Sequence, residues 1–392
     1  MSLKSAREFF GDNWQPLTLY GIVFAMLGIL LFVMLGSLPG GYSAHEVQSY
    51  QASTSLQHIV HNPLNAPYTL LTRGLLQLHD GLITTRLAAT LIGLGTLVVF
   101  CALLRHWHDI YTALFGTLLF GTSAWFLHMA RGGTPDVLLF GLFLLVAAGV
   151  WLRETANPIA LLIALLLSAS LVYVPGMIWL IGLGIVWEWK ALDRVFKKRL
   201  WYVTLGGFGV VALLAPLAWN LYRTPQLVKP WLGLPASWPT PLHFLHNVID
   251  VPLAVFVRGQ TNPETWLGQL PLLDVFGIAM FAIGAYVYYR HFGLQRVKLF
   301  NAILLAGTVL IALGGSLTLT LIVPFIYLVA AAGISYMTGQ WFKVFPRNPI
   351  AQTIGIGLLV LVIAGSVTYN MRQYFIAWPQ ASATGTVYVE RR

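Results

Sequence analysis

Charge is scarce in this chain. Only 9% of its 392 residues are Asp, Glu, Lys or Arg, against about 25% in an ordinary soluble domain. So little charge cannot cover the water-facing surface of a globular protein of this length, and that class is excluded. Cysteine is nearly absent too: Cys101, inside an apolar run, is the one copy. An intramolecular disulfide and a cysteine-based metal cluster are therefore excluded. The sequence also lacks internal repeats, low-complexity tracts and any polar stretch long enough for a soluble domain. The tail from about Asn370 to Arg392 is too short for one. No small-residue cleavage site follows the first apolar run, which is expected to be a first membrane helix and not a removable signal peptide.

What is present is apolar. Hydrophobic residues make up 57% of the chain, and the mean hydropathy is +0.74. The 37 Gly and 20 Pro suit close helix packing and broken helices in lipid. Apolar runs fall at about Leu17 to Leu38, Leu82 to Leu104, Tyr111 to Phe126, Val137 to Leu152, Pro158 to Leu171 and Met177 to Trp187. They continue at about Trp201 to Tyr222, Leu270 to Tyr289, Ala302 to Leu313, Leu317 to Met337 and Ile354 to Val367. The expected fold is an all-α integral membrane bundle of about eleven transmembrane helices. Residues 1–392 form a single transmembrane domain, with a first outer loop over 39–81 and a second long outer loop over 223–268.

The net charge of +10 would suggest nucleic acid in a soluble protein. Here the basic residues sit in short loops between apolar runs, so orientation and lipid headgroups explain them and no nucleic-acid partner is expected. With the N-terminus in the cytoplasm, Lys4, Arg7, Arg105, Arg153, the Lys190 to Arg199 cluster, Arg290, Arg296, Lys298, Lys343 and Arg347 share one side. They are fourteen of the 23 Lys and Arg. This alternation satisfies the positive-inside rule and turns both long loops and the C-terminal tail outward. The implied location is a cell membrane.

The outer loops hold the chemistry. The first opens Gly40-Gly41-Tyr42-Ser43-Ala44-His45-Glu46. Ala44 to Val60 and Tyr68 to Leu78 read as two interfacial helices. The prolines of Asn62 to Pro67 force an extended connector between them. A second outer segment, Ala130-Arg131-Gly132-Gly133-Thr134-Pro135-Asp136, puts two charges at or just inside the membrane face, where ions usually meet a cavity or each other. Its structural alternative is an Arg131–Asp136 ion pair beside a helix start at Thr134-Pro135-Asp136.

This order of elements resembles the GT-C superfamily of membrane glycosyltransferases, which includes protein O-mannosyltransferases and the aminoarabinose transferases that modify lipid A. In that family a first span leads to an outer loop with an Asp-Glu pair, then two interfacial helices and an Asn/Pro-rich connector. The next outer loop carries an Arg and a second acid. The counterparts are His45-Glu46, Asn62 to Pro67, and Arg131 with Asp136. Tyr173-Val174-Pro175-Gly176 is similar to the family's Pro-Gly turn without its Lys, and Arg258 to Leu273 to its late outer loop. The resemblance implies sugar transfer from a polyprenyl-phosphate donor to an acceptor, whether protein, lipid or glycan, at the outer face. Where the family has its first acid this chain has His45. Three readings stay open: Glu46 is the base, His45 is the base, or the site binds lipid without turnover.

The candidate catalytic residues are thus Glu46, His45 and Asp136, with Arg131 and Arg258 as partners of the donor phosphate. Lys229 and Arg223 are weaker candidates that also suit interfacial anchoring. Glu46 and Asp136 offer hard oxygen ligands for Mg²⁺ or Mn²⁺, with His45, His58, His61, His79 and His128 on the same side. Each of these histidines equally suits a plain interfacial role. Trp231, Trp238 and Trp266 suit an aromatic belt or a sugar-stacking platform. Asn262-Pro263-Glu264 is a turn by composition, with no evident partner for Glu264. The other function classes are a transporter or flippase for a lipid-linked solute, and a lipid-binding assembly partner that keeps the fold without catalysis. The former would place its ions mid-membrane, whereas these cluster at the outer face.

Overall fold

The computed structural model describes residues 14–389 apart from 156, 199, 266 and 267. Lys4, Arg7, Arg199 and Trp266 therefore lie outside the described residues. Among those described the protein is all helical, with no strands. Five helices are long and apolar enough to cross a membrane, six if one bent pair counts as a single span, and five further apolar helices are shorter. The chain is a multi-pass membrane protein.

The first helix, α1 (Trp14–Phe32), enters a loop that carries α2 (Ala44–Thr54), α3 (Leu56–His61) and α4 (Ala66–Leu76). These follow the two interfacial helices and connector expected from the sequence, with the first broken at Ser55. Ser43 caps α2 through a capping box with Glu46, and Asn62 ends α3 ahead of Pro63. α5 (Ile83–Trp107) has 25 residues, about 37 Å at about 1.5 Å per residue.

The run expected as one span from Tyr111 is two helices, α6 (Ile110–Thr122) and α7 (Ala124–Arg131), bent by 65°. The break has an identifiable cause. The Ser123 hydroxyl donates to Phe120 O at 2.7 Å and accepts from Phe126 N, and the side chain of Asn370 accepts from Ala124 N at 3.1 Å. Side-chain oxygens thus replace the helical ladder at that point.

A 3₁₀ turn (Pro135–Phe140) leads into α8 (Gly141–Thr155), followed by α9 (Pro158–Leu171), α10 (Met177–Trp187), α11 (Trp189–Lys198) and α12 (Leu200–Arg223). The second long outer segment, expected as loop, contains a helix, α13 (Pro241–Phe256), which packs on α15 (Gln295–Ala312). α14 (Val275–Arg290) crosses α16 (Val323–Val344) at Gly284 and Gly333. A Cβ on either glycine would overlap a carbonyl of the other helix, so only glycine permits this backbone contact. α16 is buried along most of its length and forms the centre of the bundle. α17 (Pro349–Arg372) and the short α18 (Ser382–Val387) close the chain.

The two ends of the bundle differ. The end of α1, the start of α5 and the end of α7 share one of them. The other gathers the basic turns, where His106 meets Glu154, Arg153 pairs with Glu188, and Arg296 lies over Trp107.

Candidate functional site

Glu46 stands in the first turn of α2 and is 1% exposed. Its Oε1 accepts from Arg86 Nε at 2.6 Å and from Gly133 N at 2.9 Å, and its Oε2 accepts from Arg86 at 2.8 Å and from Ser43 N at 3.0 Å. A carboxylate offers about four lone-pair sites, so Glu46 has none left to take a substrate proton or ligate a metal. Arg86, in the first turn of α5, is equally buried at 1%. Its remaining N–H groups reach Leu35 O at 3.0 Å, Leu38 O at 2.9 Å and Gly41 O at 2.6 Å, with the Tyr42 ring 4.4 Å away. This pair ties the unwound chain after α1, the N-terminus of α2 and the start of α5 into one unit. Gly133 completes it: a Cβ there would overlap Thr85 Oγ1 and press on Glu46. Close by, the Tyr68 hydroxyl donates to Thr85 O at 2.8 Å, and burial together with the Glu46 charge pushes that phenol well above its ordinary pKa.

Arg131, at the end of α7, is 2% exposed. It donates to Leu30 O and, at 2.7 Å, to Val33 O, and its Nε meets the Tyr374 hydroxyl at 3.2 Å. The rings of Tyr374 and Phe375 lie 5.3 and 5.0 Å from the guanidinium. Arg131 thus satisfies the last carbonyls of α1, where a cation also suits the helix dipole. It does not pair with Asp136, and its guanidinium is enclosed by protein groups.

The open chemistry lies one residue before Glu46. His45 is 68% exposed at its side chain, and its Nδ1 lies 2.7 Å from Glu264 Oε2. Because an ionised carboxylate can only accept, Nδ1 donates to Glu264, and in the neutral ring this leaves the lone pair on Nε2. The other oxygen of Glu264 accepts from the Ser43 hydroxyl. Ser43 therefore joins the sealed carboxylate of Glu46 to the partly covered one of Glu264. The turn bearing Glu264 is built locally by Asn262, whose side chain accepts from Glu264 N at 3.1 Å. It is held by the C-terminal segment: Trp378 Nε1 donates to Pro263 O at 3.1 Å and the Tyr388 hydroxyl donates to Glu264 O at 2.8 Å. Burial and the charges of Glu46 and Glu264 raise the Tyr388 pKa, so this phenol stays a donor. Asp136, half-buried in the first turn of the 3₁₀ segment, is within electrostatic reach of both Glu264 and His45.

Arg258 is exposed on the stretch between α13 and Glu264. Arg223 lies over the Trp219 ring, and Lys229 donates to Ala236 O. The histidines do not converge: the rings of His58 and His61 face the backbone oxygens of Gln51 and Gln57, and His128 is packed against Trp378 and Tyr374. Among the described residues no group of three or more His, Cys, Asp and Glu side chains is placed to hold a metal ion. Glu46, with its oxygens taken by Arg86, Gly133 and Ser43, has no lone pair free for the divalent cation expected from the sequence. Trp231 is no free platform, because its indole donates to Val172 O at 2.8 Å, whereas Trp238 is 63% exposed.

Arg86, and Glu264 as the partner of His45, are the two functional features that sequence reasoning missed. Arg86 did carry a signal, as an ionisable residue inside an apolar run, which needs a partner. Nothing in the local sequence around Glu264 points to a residue 219 positions away.

No protein-family model and no curated protein sequence matches the chain. Its fold is that of ArnT from Cupriavidus metallidurans. The apo crystal structure of that protein superposes with a TM-score of 0.59 at 14% identity, over 94% of this chain and 77% of ArnT. The structure of the same protein bound to undecaprenyl phosphate gives 0.55 at 14% identity, over 94% and 76%. At this identity the likeness shows a shared fold and nothing finer.

Proposed function

We propose that this chain is a membrane glycosyltransferase that moves a sugar from a polyprenyl-phosphate carrier to an acceptor hydroxyl at the outer face of the membrane. The observation that carries the reading is the His45–Glu264 pair, with the His45 ring open to solvent, on a fold shared with a protein solved with undecaprenyl phosphate bound. The proposed setting is a single domain of about eleven crossings, with the N-terminus in the cytoplasm and both long loops outside.

In the proposed step the acceptor oxygen attacks the anomeric carbon of the sugar. The bond from that carbon to the phosphate oxygen breaks, and its electron pair leaves with the polyprenyl phosphate. The acceptor proton passes to Nε2 of His45, a suitable base near neutral pH. Glu264 holds the ring through Nδ1–H and stabilises the imidazolium that forms, the same division of labour as in a carboxylate–histidine pair of a hydrolase. Arg258 meets the charge that grows on the leaving phosphate. Asp136 positions the acceptor hydroxyl. Glu46 acts as an anchor through Arg86, and the step needs no metal ligand from it.

The test is release of label from a panel of radiolabelled polyprenyl-phosphate sugars by purified protein in detergent. The expected result is release by wild type that falls by about 10²–10⁴-fold in His45→Gln, with an unchanged melting profile. Equal release by wild type and His45→Gln would remove the assigned base. Donor binding without release, with an acceptor pool supplied, would favour the lipid-binding partner.

A further inference from the structure

An apolar cavity of about 320 Å³ lies between α8, α9, α10, α11 and α12, at the bottom of the size range of about 300–1,000 Å³ usual for ligand sites. It is far along the bundle from His45: Glu188 and α11 contribute to its lining, at the end where the basic turns gather. Two features distinguish it from a simple packing gap. First, α11 is two-sided. Trp189, Leu192 and Phe196 line the cavity, while Lys190, Arg194 and Lys197 are exposed on the other face. Spacings of three and four residues produce this division on a helix. Second, Glu188 is the acid in the lining, and Arg153 neutralises it from Nε at 3.0 Å, so the lining presents no free anion. From 188 to 199 the sequence holds five Lys or Arg and two acids, a net charge of +3.

We propose that this cavity and α11 form a binding site for one anionic glycerophospholipid. An acyl chain fills the cavity, and the phosphate lies against Lys190 and Arg194. The occupant follows from charge and shape together. The lining suits only hydrocarbon, and the outer face of α11 beside it is cationic. Polybasic segments at a membrane surface select anionic headgroups. The site faces the leaflet opposite the candidate active site and does not depend on sugar transfer.

The test uses the whole protein, delipidated in mild detergent and exposed to phosphatidylglycerol or to phosphatidylcholine of matched chains, with retained lipid counted by native mass spectrometry. Phosphatidylglycerol should be retained about tenfold more, and Lys190→Gln with Arg194→Gln should abolish the preference. Gly184 lines the cavity and has open space where a Cβ would sit, so Gly184→Leu should expel either lipid without lowering the melting temperature. Ser168→Leu, from the facing helix, fills the same space and carries the steric test if Gly184→Leu fails to fold. Equal retention of the two headgroups would overturn the proposal. So would retention unchanged in the filled variant that folds, or displacement by equimolar undecaprenyl phosphate, which would give the cavity to a polyprenyl chain.

Discussion

Replacing Arg86 by Met would leave the Glu46 carboxylate buried with only the Ser43 and Gly133 amides as partners. The carbonyls of Leu35, Leu38 and Gly41 would lose their donor in the same step. Breaking a buried ion pair by removing one member costs about 3–5 kcal/mol. The loss should appear as a large fall in melting temperature by fluorescence-detected size exclusion in detergent. Glu46→Gln keeps the shape but removes the charge opposite Arg86, and should fall by a similar amount. The double variant Glu46→Gln with Arg86→Met removes both charges, so its cost should be less than the sum of the single costs by about 0.5–3 kcal/mol of coupling. The reasoning fails if Glu46→Gln melts like wild type yet loses all turnover, because Glu46 would then be part of the chemistry and not an anchor.

Other outcomes follow from single contacts. Glu264→Gln should lower the rate of transfer while leaving the fold intact, because the His45 ring loses its carboxylate partner. Gly284→Ala would set a Cβ against Val329 O and should cost about 1–3 kcal/mol in a melting assay. His108, in the turn between α5 and α6, bonds to Ser335 at 3.0 Å; burial, then the charge of Arg296, lowers its pKa to about 4. Unfolded, this imidazole returns to about 6.5. Between those values the unfolded chain binds the extra proton, so stability falls as pH falls, by about 2 kcal/mol from pH 7 to pH 5. Thermal melts at the two pH values should show this loss in wild type and its reduction in His108→Gln.

The legible parts of the fold were those written in contiguous sequence. Pro158–Leu171 and Met177–Trp187 fall where apolar runs are bounded by proline or glycine, because a lipid-facing helix needs nothing beyond its own run. The capping residues of the first outer loop were equally local. The break at Ser123 was hidden, because serine alone is tolerated in a membrane helix and the side chain that caps Ala124 comes from Asn370, 246 positions on. α13 escaped notice because His243, His246, Asn247 and Asp250 interrupt its apolar pattern. At the candidate site, spacing and resemblance singled out His45, Glu46 and Asp136, but the two neighbouring residues have opposite environments. Glu46 meets Arg86 from 40 residues away and is sealed, while His45 meets Glu264 and is open. Chain order does not encode which of the two faces solvent, since the rotation of α2 against α5 decides it.

The most direct measurement is photo-crosslinking with a polyprenyl phosphate bearing a photoreactive group next to the phosphate, with labelled peptides mapped by mass spectrometry. Labelling should fall on Ser43 to Tyr50 and on the stretch from Arg258 to Glu264, and unlabelled polyprenyl phosphate should compete it away. Labelling confined to α11 and the cavity beneath it, with the His45–Glu264 loops unmarked, would contradict the account.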